Sequence, residues 1–251
     1  MTTDTDIPFV SHIIELRARL IKVLLAMLFV FCALFSLSSE LYSFISQPIL
    51  DQLPPGSSLI ATDVTSTFFT PFKLTLIASF FLTIPVILYQ FWSFISPGLY
   101  AKEKRIALPL LALSVSLFYA GIAFAHFIIF PLVMSFFTSI TPENVTITPD
   151  IAQYLTIALK LFFAFGLAFE IPVVTVFFVL TGITTVASLS SKRPYIILIC
   201  FVAGMLLTPP DPVSQTLLAI PMWLLFEFGL LLSRLLRSQK HSGQDLTNVN
   251  D

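Results

Sequence analysis

Charge is what this chain of 251 residues has least of: Asp, Glu, Lys and Arg together make up 11%, against 57% hydrophobic residues, 27 of them Phe. With a mean hydropathy of +0.94, that scarcity excludes a water-soluble globule and points to a polytopic membrane protein. A net charge of −1 says little about partners, for which the placement of the charges matters more, and no nucleic-acid partner is expected. Cysteine is equally scarce. Cys32 and Cys200 lie far apart, each inside an apolar run, so they form no metal or redox motif and read as small core residues. His126 has no second His, Cys or carboxylate at ligand spacing and is expected at the outer interface and not as a ligand. Neither HExxH nor GxSxG occurs, which removes the usual nucleophiles and bases of an intramembrane hydrolase. No enzyme activity, cofactor or metal is expected.

The N-terminus lacks the basic n-region of a cleavable signal, carrying Asp4 and Asp6 instead, and is expected to stay on the mature protein. Six apolar stretches follow, approximately 23–37, 72–95, 106–137, 154–182, 194–207 and 213–232. Eleven of the 13 basic residues fall on one side: Arg17, Arg19 and Lys22, then Lys102, Lys104 and Arg105, then Lys192 and Arg193, then Arg234, Arg237 and Lys240. The opposite loops carry Glu40, Asp51, Asp63, Glu143, Asp150 and Asp211. The positive-inside rule then puts both termini in the cytoplasm, consistent with an even number of spans. The expected fold is therefore an all-α membrane protein with six transmembrane helices. It forms one membrane domain over 1–237, followed by a polar tail, 238–251, expected to be disordered.

Within that frame, Glu170 is the anomaly. It lies near the middle of KLFFAFGLAFEIPVVTVFFVL, Lys160 to Leu180, and a carboxylate at the centre of a span costs about 2.5–3.5 kcal/mol on insertion scales. Pro172 cannot donate to the carbonyl of Ala168, and Gly166 lies one turn back, so a kinked helix with a polar spot on its concave side is expected. Two readings stay open: a functional carboxylate in a wet cavity, or a protonated one acting as interhelical glue.

The segment SHIIELRARLIK is expected to lie along the membrane surface and feed the first span, with Glu15 and Arg19 spaced for an i,i+4 pair. For Glu15, an anchor residue and a functional carboxylate are both open. Glu103, between Lys102 and Lys104, reads first as a carboxylate at a helix start. The loop 38–70 reads as a structured outer cap, its Leu41–Leu53 piece amphipathic and ended by Pro54-Pro55-Gly56. Tyr89, Phe91, Trp92 and Phe94 form an aromatic belt at the inner end of span two. Span five has only 15 residues between Arg193 and Pro209, about 22 Å of helix against about 30 Å of hydrocarbon. Asp211-Pro212 reads as an N-cap with proline at N1. Thr208, Ser214, Gln215 and Thr216 make a polar cluster at the outer end of two short helices, able to bond a partner helix. Glu227 is expected to snorkel toward Arg234.

Four strings in order, HIIELRARL at 12–20, PGLYAKE at 97–103, FGLAFEIP at 165–172 and TPPDPVSQTLLAIP at 208–221, resemble the TatC family, the core subunit of the twin-arginine protein translocase. The likeness covers roughly Pro8 to Arg237; Ile13 stands where the family usually has leucine. It implies a concave, glove-like bundle in the bacterial cytoplasmic (inner) membrane that binds twin-arginine signal peptides of folded cargo. It also implies TatA and TatB single-span partners, other TatC copies and lipid around the bundle, and transport driven by the proton-motive force. By the same resemblance Glu15, Glu103, Arg17 and Phe94 belong to the signal-peptide surface. Glu170 belongs to the intramembrane cavity, Thr208 and Gln215 to a partner-helix contact, and Pro48 and Asp211 to sensitive loops. The competing class is a proton-coupled secondary transporter using Glu170, against which stands the lack of paired broken helices in two halves.

Overall fold

In the computed structural model, residues 6–50, 60–95, 104–139, 148–207 and 212–247 are described. These are mostly helical, with no strand among them beyond an isolated bridge between Ile60 and Asp150. The helices are α1 (Asp6–Phe35), α2 (Ser38–Leu50), α3 (Ser66–Ile95), α4 (Lys104–Phe124), α5 (Phe130–Ser139), α6 (Ile151–Ala168), α7 (Ile171–Leu180), α8 (Val186–Ser191), α9 (Arg193–Leu207) and α10 (Pro212–Thr247). A π-helical turn, Ala125–Ile129, joins α4 to α5.

Five stretches are long and apolar enough to cross a membrane: Ile13–Phe35, Ser66–Phe94, Leu108–Ser139, Ile151–Leu180 and Pro212–Leu236. Arg193–Leu207 is the shorter sixth. This is the all-α membrane architecture expected from the sequence. Three boundaries differ, each for a local reason. The surface segment is no separate element: α1 runs unbroken from Asp6 to Phe35, because neither Gly nor Pro occurs after Pro8, and Pro8 sits in the first turn where its missing N–H costs nothing. Span two starts at Ser66, five residues before Pro71. At the other end, α10 continues to Thr247, past the expected start of the disordered tail at 238. The added stretch holds one glycine and no proline, and extending a formed helix is far easier than nucleating one.

The chain divides into two compact units, 1–47 with 59–115 and 149–155, and 48–58 with 116–148 and 156–251. In the first, α1 packs along α3, and an outer cap is stitched by named bonds. The Tyr154 hydroxyl donates to the Ile45 carbonyl at 2.8 Å, where Ile45 and Ser46 are buried. Ile60 N–H donates to the Pro149 carbonyl and Ile151 N–H to the Ile60 carbonyl.

The second unit packs α10 against α7 and α9, and glycines set its closest approaches. A Cβ on Gly121 would lie 2.5 Å from the Phe165 carbonyl oxygen, and one on Gly166 would lie 2.8 Å from the Phe118 ring. Each of α4 and α6 thus yields a notch to the other: the Phe118 ring fills the one at Gly166, and the Phe165 main chain with the Phe169 ring fills the one at Gly121. On α10, a Cβ at Gly229 would meet Pro172 Cα at 2.9 Å. With no hydrophobic force between helices in lipid, such close contact supplies the association by dispersion.

Candidate functional site

At the start of α1, Glu15 and Arg19 form the expected i,i+4 pair. Arg19 Nη2 lies 2.5 Å from Glu15 Oε1, and Arg19 Nε donates to the same oxygen at 3.0 Å. The sequence reading missed what lies beneath. Arg19 Nη1 donates to Gln90 Oε1 at 3.1 Å, and Nη2 donates to the Ser93 carbonyl at 3.2 Å. One guanidinium therefore ties α1 to the C-terminal end of α3. The available signal was Gln90 itself, a carboxamide inside the belt Tyr89-Gln90-Phe91-Trp92. The Arg19 side chain is 19% exposed and that of Glu15 38%, so the cation lies underneath and the carboxylate above it.

Other residues of the expected signal surface divide. Arg17 is exposed on α1 and Phe94 is half-buried beside Ser93 on α3. Within the belt, Trp92 is buried while Tyr89 and Phe91 are exposed. Glu103, Thr208 and Asp211 lie outside the described residues, and Pro48 falls within the last turn of α2.

Glu170 sits where the long span breaks. The helix does more than kink: α6 ends at Ala168, Phe169-Glu170 form a turn, and α7 starts at Ile171 with Pro172 in its first turn. Glu170 N–H donates to the Leu167 carbonyl, and the Glu170 carbonyl accepts from Val174 N–H. Half-buried Glu170 is the N-cap residue of α7, next to the partial positive charge of a helix N-terminus, which favours a carboxylate, although its side chain makes no cap hydrogen bond. That is a third physical reason for its presence beside the two weighed above. The Gly166 notch expected on its concave side is filled by the Phe118 ring.

At the junction of α9 and α10, Gln215 Nε2 donates to the Phe201 carbonyl at 2.8 Å. Gly204 permits this approach, since a Cβ there would lie 3.1 Å from the Gln215 carbonyl oxygen. Thr216 turns its hydroxyl back to the Pro212 carbonyl at 2.6 Å, and Ser214 is buried. Part of the expected partner-facing cluster is thus engaged within the chain.

One expectation is corrected. Glu227 pairs not with Arg234 but with Arg193, which donates from Nε to Oε1 at 2.6 Å and from Nη2 to Oε2 at 2.8 Å. Arg234 instead reaches the Ser190 hydroxyl at 3.3 Å. The antiparallel neighbour α9 brings a whole guanidinium fork alongside, which a residue two turns along the same helix cannot match. His126, in the π-helical turn, is buried in the protein: its ring meets those of Phe127 and Phe162 at 4.7 and 5.6 Å. The π-helical turn adds a residue to the helix circumference and so rotates His126 onto the packed face.

On the outer cap, Asp150 caps α6. Its Oδ1 accepts from the N–H groups of Ala152 and Gln153, both at 2.9 Å. Its Oδ2 accepts from the Thr62 hydroxyl at 2.5 Å and from Thr62 N–H at 3.1 Å. Those donors, the Thr62 hydroxyl foremost, lower its pKa to about 2. Asp63 is also lowered, chiefly by the Thr65 hydroxyl. Among the described residues no three of His, Cys, Asp and Glu come together to hold a metal ion.

Residues 11–221 match the family model described as "Sec-independent protein translocase protein (TatC)". A protein of that name from Azotobacter chroococcum mcd 1 is 54% identical over 95% of this chain and 93% of its own length. The one from Escherichia coli (strain K12) is 50% identical over 93% and 91%. Among solved structures, the "Crystal Structure of Twin Arginine Translocase Receptor- TatC" matches with a TM-score of 0.80 and 39% identity, covering 89% of this chain and 98% of that one.

Proposed function

From a chain that belongs to the TatC family of Sec-independent protein translocase proteins, we propose a receptor that binds twin-arginine signal peptides of folded cargo. The reading continues that it organises TatA and TatB, and other copies of itself, for export driven by the proton-motive force. It places the protein in the bacterial inner membrane as one six-span domain over 1–237, with both termini in the cytoplasm. The sorting of basic residues to one set of loops supports that orientation.

The observation that carries the reading is the Glu15 carboxylate, held by Arg19 yet 38% exposed at the basic end of α1. A face dominated by Arg and Lys repels a basic peptide unless carboxylates interrupt it. Glu15 here, and Glu103 between Lys102 and Lys104, supply that interruption. A signal arginine offers a planar fork matched to a carboxylate, where lysine offers a compact, strongly hydrated charge. Arg17 and Phe94 flank the peptide, Thr208 and Gln215 meet partner helices, Glu170 serves the intramembrane cavity, and Pro48 and Asp211 shape the outer loops.

Binding of a twin-arginine and a twin-lysine peptide to wild type, Glu15→Gln and Glu103→Gln tests the reading at low and high salt. A charge-assisted hydrogen bond of about 1.5–3 kcal/mol corresponds to a loss of roughly ten- to a hundredfold in twin-arginine affinity for each variant. Wild-type affinity and selectivity in both variants would reduce these carboxylates to helix-end charges.

A further inference from the structure

We propose that the corner formed by α8, α9 and α10 holds the headgroup of an anionic phospholipid, with Lys192 and Arg234 as the cations that take its phosphate. Three cations come together here. Lys192 closes α8, Arg193 opens α9, and Arg234 on α10 reaches back to α8. One of them is already balanced, since Arg193 gives Nε and Nη2 to the two oxygens of Glu227. Between Val186 and Leu236 the other acidic residue is Asp211, in the connection at the far ends of α9 and α10. Arg234 is exposed, and its hydrogen bond goes to a neutral acceptor, the Ser190 hydroxyl, at 3.3 Å. Lys192 is exposed too, and among the described residues no carboxylate pairs with either cation.

Charge complementarity calls for an anion, and the surroundings choose its carrier. Both helices expose an apolar stripe that starts beside these cations: Tyr195, Leu198 and Val202 on α9, and Leu231, Phe228 and Leu224 on α10. Steps of three and four residues keep each stripe on one helix face. Inorganic phosphate or an acidic peptide would match the cations alone. A phospholipid matches the cations with its headgroup and the stripes with its acyl chains. The length of α9 sharpens that match. Its 15 residues span about 22 Å against about 30 Å of hydrocarbon, so the bilayer thins beside it and phosphates come down to the level of its basic end. Tyr195, 68% exposed, is the kind of aromatic that sits at headgroup depth. The long stems of Lys192 and Arg234 lie along apolar surface while their charged ends reach the phosphate, which the Arg234 fork suits geometrically. Neither the signal-peptide site nor the orientation of the termini enters this binding.

The test titrates the full chain, purified in detergent, with phosphatidylglycerol or with zwitterionic phosphatidylcholine, and counts bound lipid by native mass spectrometry. Wild type should take its first phosphatidylglycerol more tightly than phosphatidylcholine. Lys192→Gln and Arg234→Gln should each weaken that first binding by about fivefold and together by roughly twentyfold, with phosphatidylcholine unaffected. Arg17→Gln removes an equal charge from the other compact unit and should leave the first binding as it was. Glu227→Gln releases Arg193 to the cluster and should tighten it by about fivefold, whereas Glu15→Gln, the same change in net charge elsewhere, should not. Both Lys192 and Arg234 are exposed, so their glutamine variants fold and decide the matter even if Glu227→Gln does not. Three results would overturn the assignment. Equal weakening by Arg17→Gln means attraction to charge in general. Wild-type phosphatidylglycerol affinity in the double variant leaves these cations to an acidic segment of a protein. Displacement of the lipid by millimolar inorganic phosphate marks a site for soluble phosphate.

Discussion

Two glutamate–arginine pairs lie at the basic ends of helices, one in each compact unit, and they are built differently. Glu15–Arg19 is local in sequence, and its guanidinium converges on one carboxylate oxygen while its remaining bonds go to α3. Arg193–Glu227 joins residues 34 positions apart, fork to fork through both oxygens, with the Glu227 side chain 27% exposed. In the second pair the cation uses the carboxylate up, and the product is a pin between α9 and α10. In the first, the cation is the anchored partner and the carboxylate is the outer one. The same two residue types thus give a staple between helices in one unit and, in the other, a local pair whose arginine is tied to a neighbouring helix, and which one results depends on where the arginine's spare donors go.

Charge reversal separates them most sharply. Arg193→Glu places two carboxylates together at the end of a helix only 15 residues long and should give the largest loss of stability in detergent. Removing the pair alone loses a bidentate contact whose strength its partial exposure holds down, and repulsion adds to that loss. The double variant Arg193→Glu with Glu227→Arg should recover most of the melting temperature. Signal-peptide affinity per folded molecule should not change. If peptide affinity falls in Arg193→Glu and the swap does not restore it, the pin is part of the binding surface and the contrast between the pairs collapses.

Glu15→Gln is the mirror image: a ten- to a hundredfold loss of twin-arginine affinity, as above, with a stability change under about 1 kcal/mol, as for exposed pairs. Melting temperature and peptide binding measured on the same two preparations would show whether the two pairs trade effects in this way.

Gln215→Leu lies lower in magnitude. It removes a neutral hydrogen bond to the Phe201 carbonyl, worth on average about 0.6 kcal/mol in membranes. Its measurable effect should be on cross-linking to a partner helix, with signal binding intact. Equal loss of signal binding in a folded variant would count against separate sites.

How much of this was legible in the sequence depends on whether a feature is local. Spans, the Glu15–Arg19 spacing and a disturbance of the helix at Pro172 follow from periodicity, composition and residues three or four apart, whereas the Asp150 cap on α6 was not read from the sequence. Gln90 under Arg19 and Arg193 beside Glu227 are contacts between helices, and nothing in a 3.6-residue repeat encodes which polar groups meet across a seam. Assigning Glu227 to Arg234 was a local argument applied to a non-local contact. The burial of His126 depends on a π-helical turn that no residue in Ala125–Ile129 announces. The roles of Glu15, Phe94 and Gln215 were suggested by resemblance to a family, while the spacing itself allowed plainer readings.

The smallest expected effect concerns a third carboxylate, Asp150, which is also used through both oxygens but by neutral donors. Four hydrogen bonds from Thr62, Ala152 and Gln153 hold its pKa at about 2, against an ordinary 3.8. A carboxylate whose folded pKa is depressed contributes stability that is fully present above its unfolded pKa and is lost as pH falls through the folded one. The window here runs from about pH 4 down to about 2. Across it, the N–H groups of Thr62, Ala152 and Gln153 should lose protection from hydrogen exchange while the spans, whose bonds lie within helices, keep theirs. Asp150→Asn retains one carbonyl oxygen, so it should show weaker protection at neutral pH and a flat profile on acidification. Asp63, also lowered, still titrates in that variant and is read separately at the Thr65 N–H, which it accepts at 3.1 Å. Salt divides the cases further: donors to Asp150 carry no charge and should ignore it, whereas the half-exposed Arg193–Glu227 pair should weaken as ionic strength rises. A salt-sensitive cap, or wild-type protection that stays flat to pH 2, would mean that Asp150 is held by something other than these four bonds.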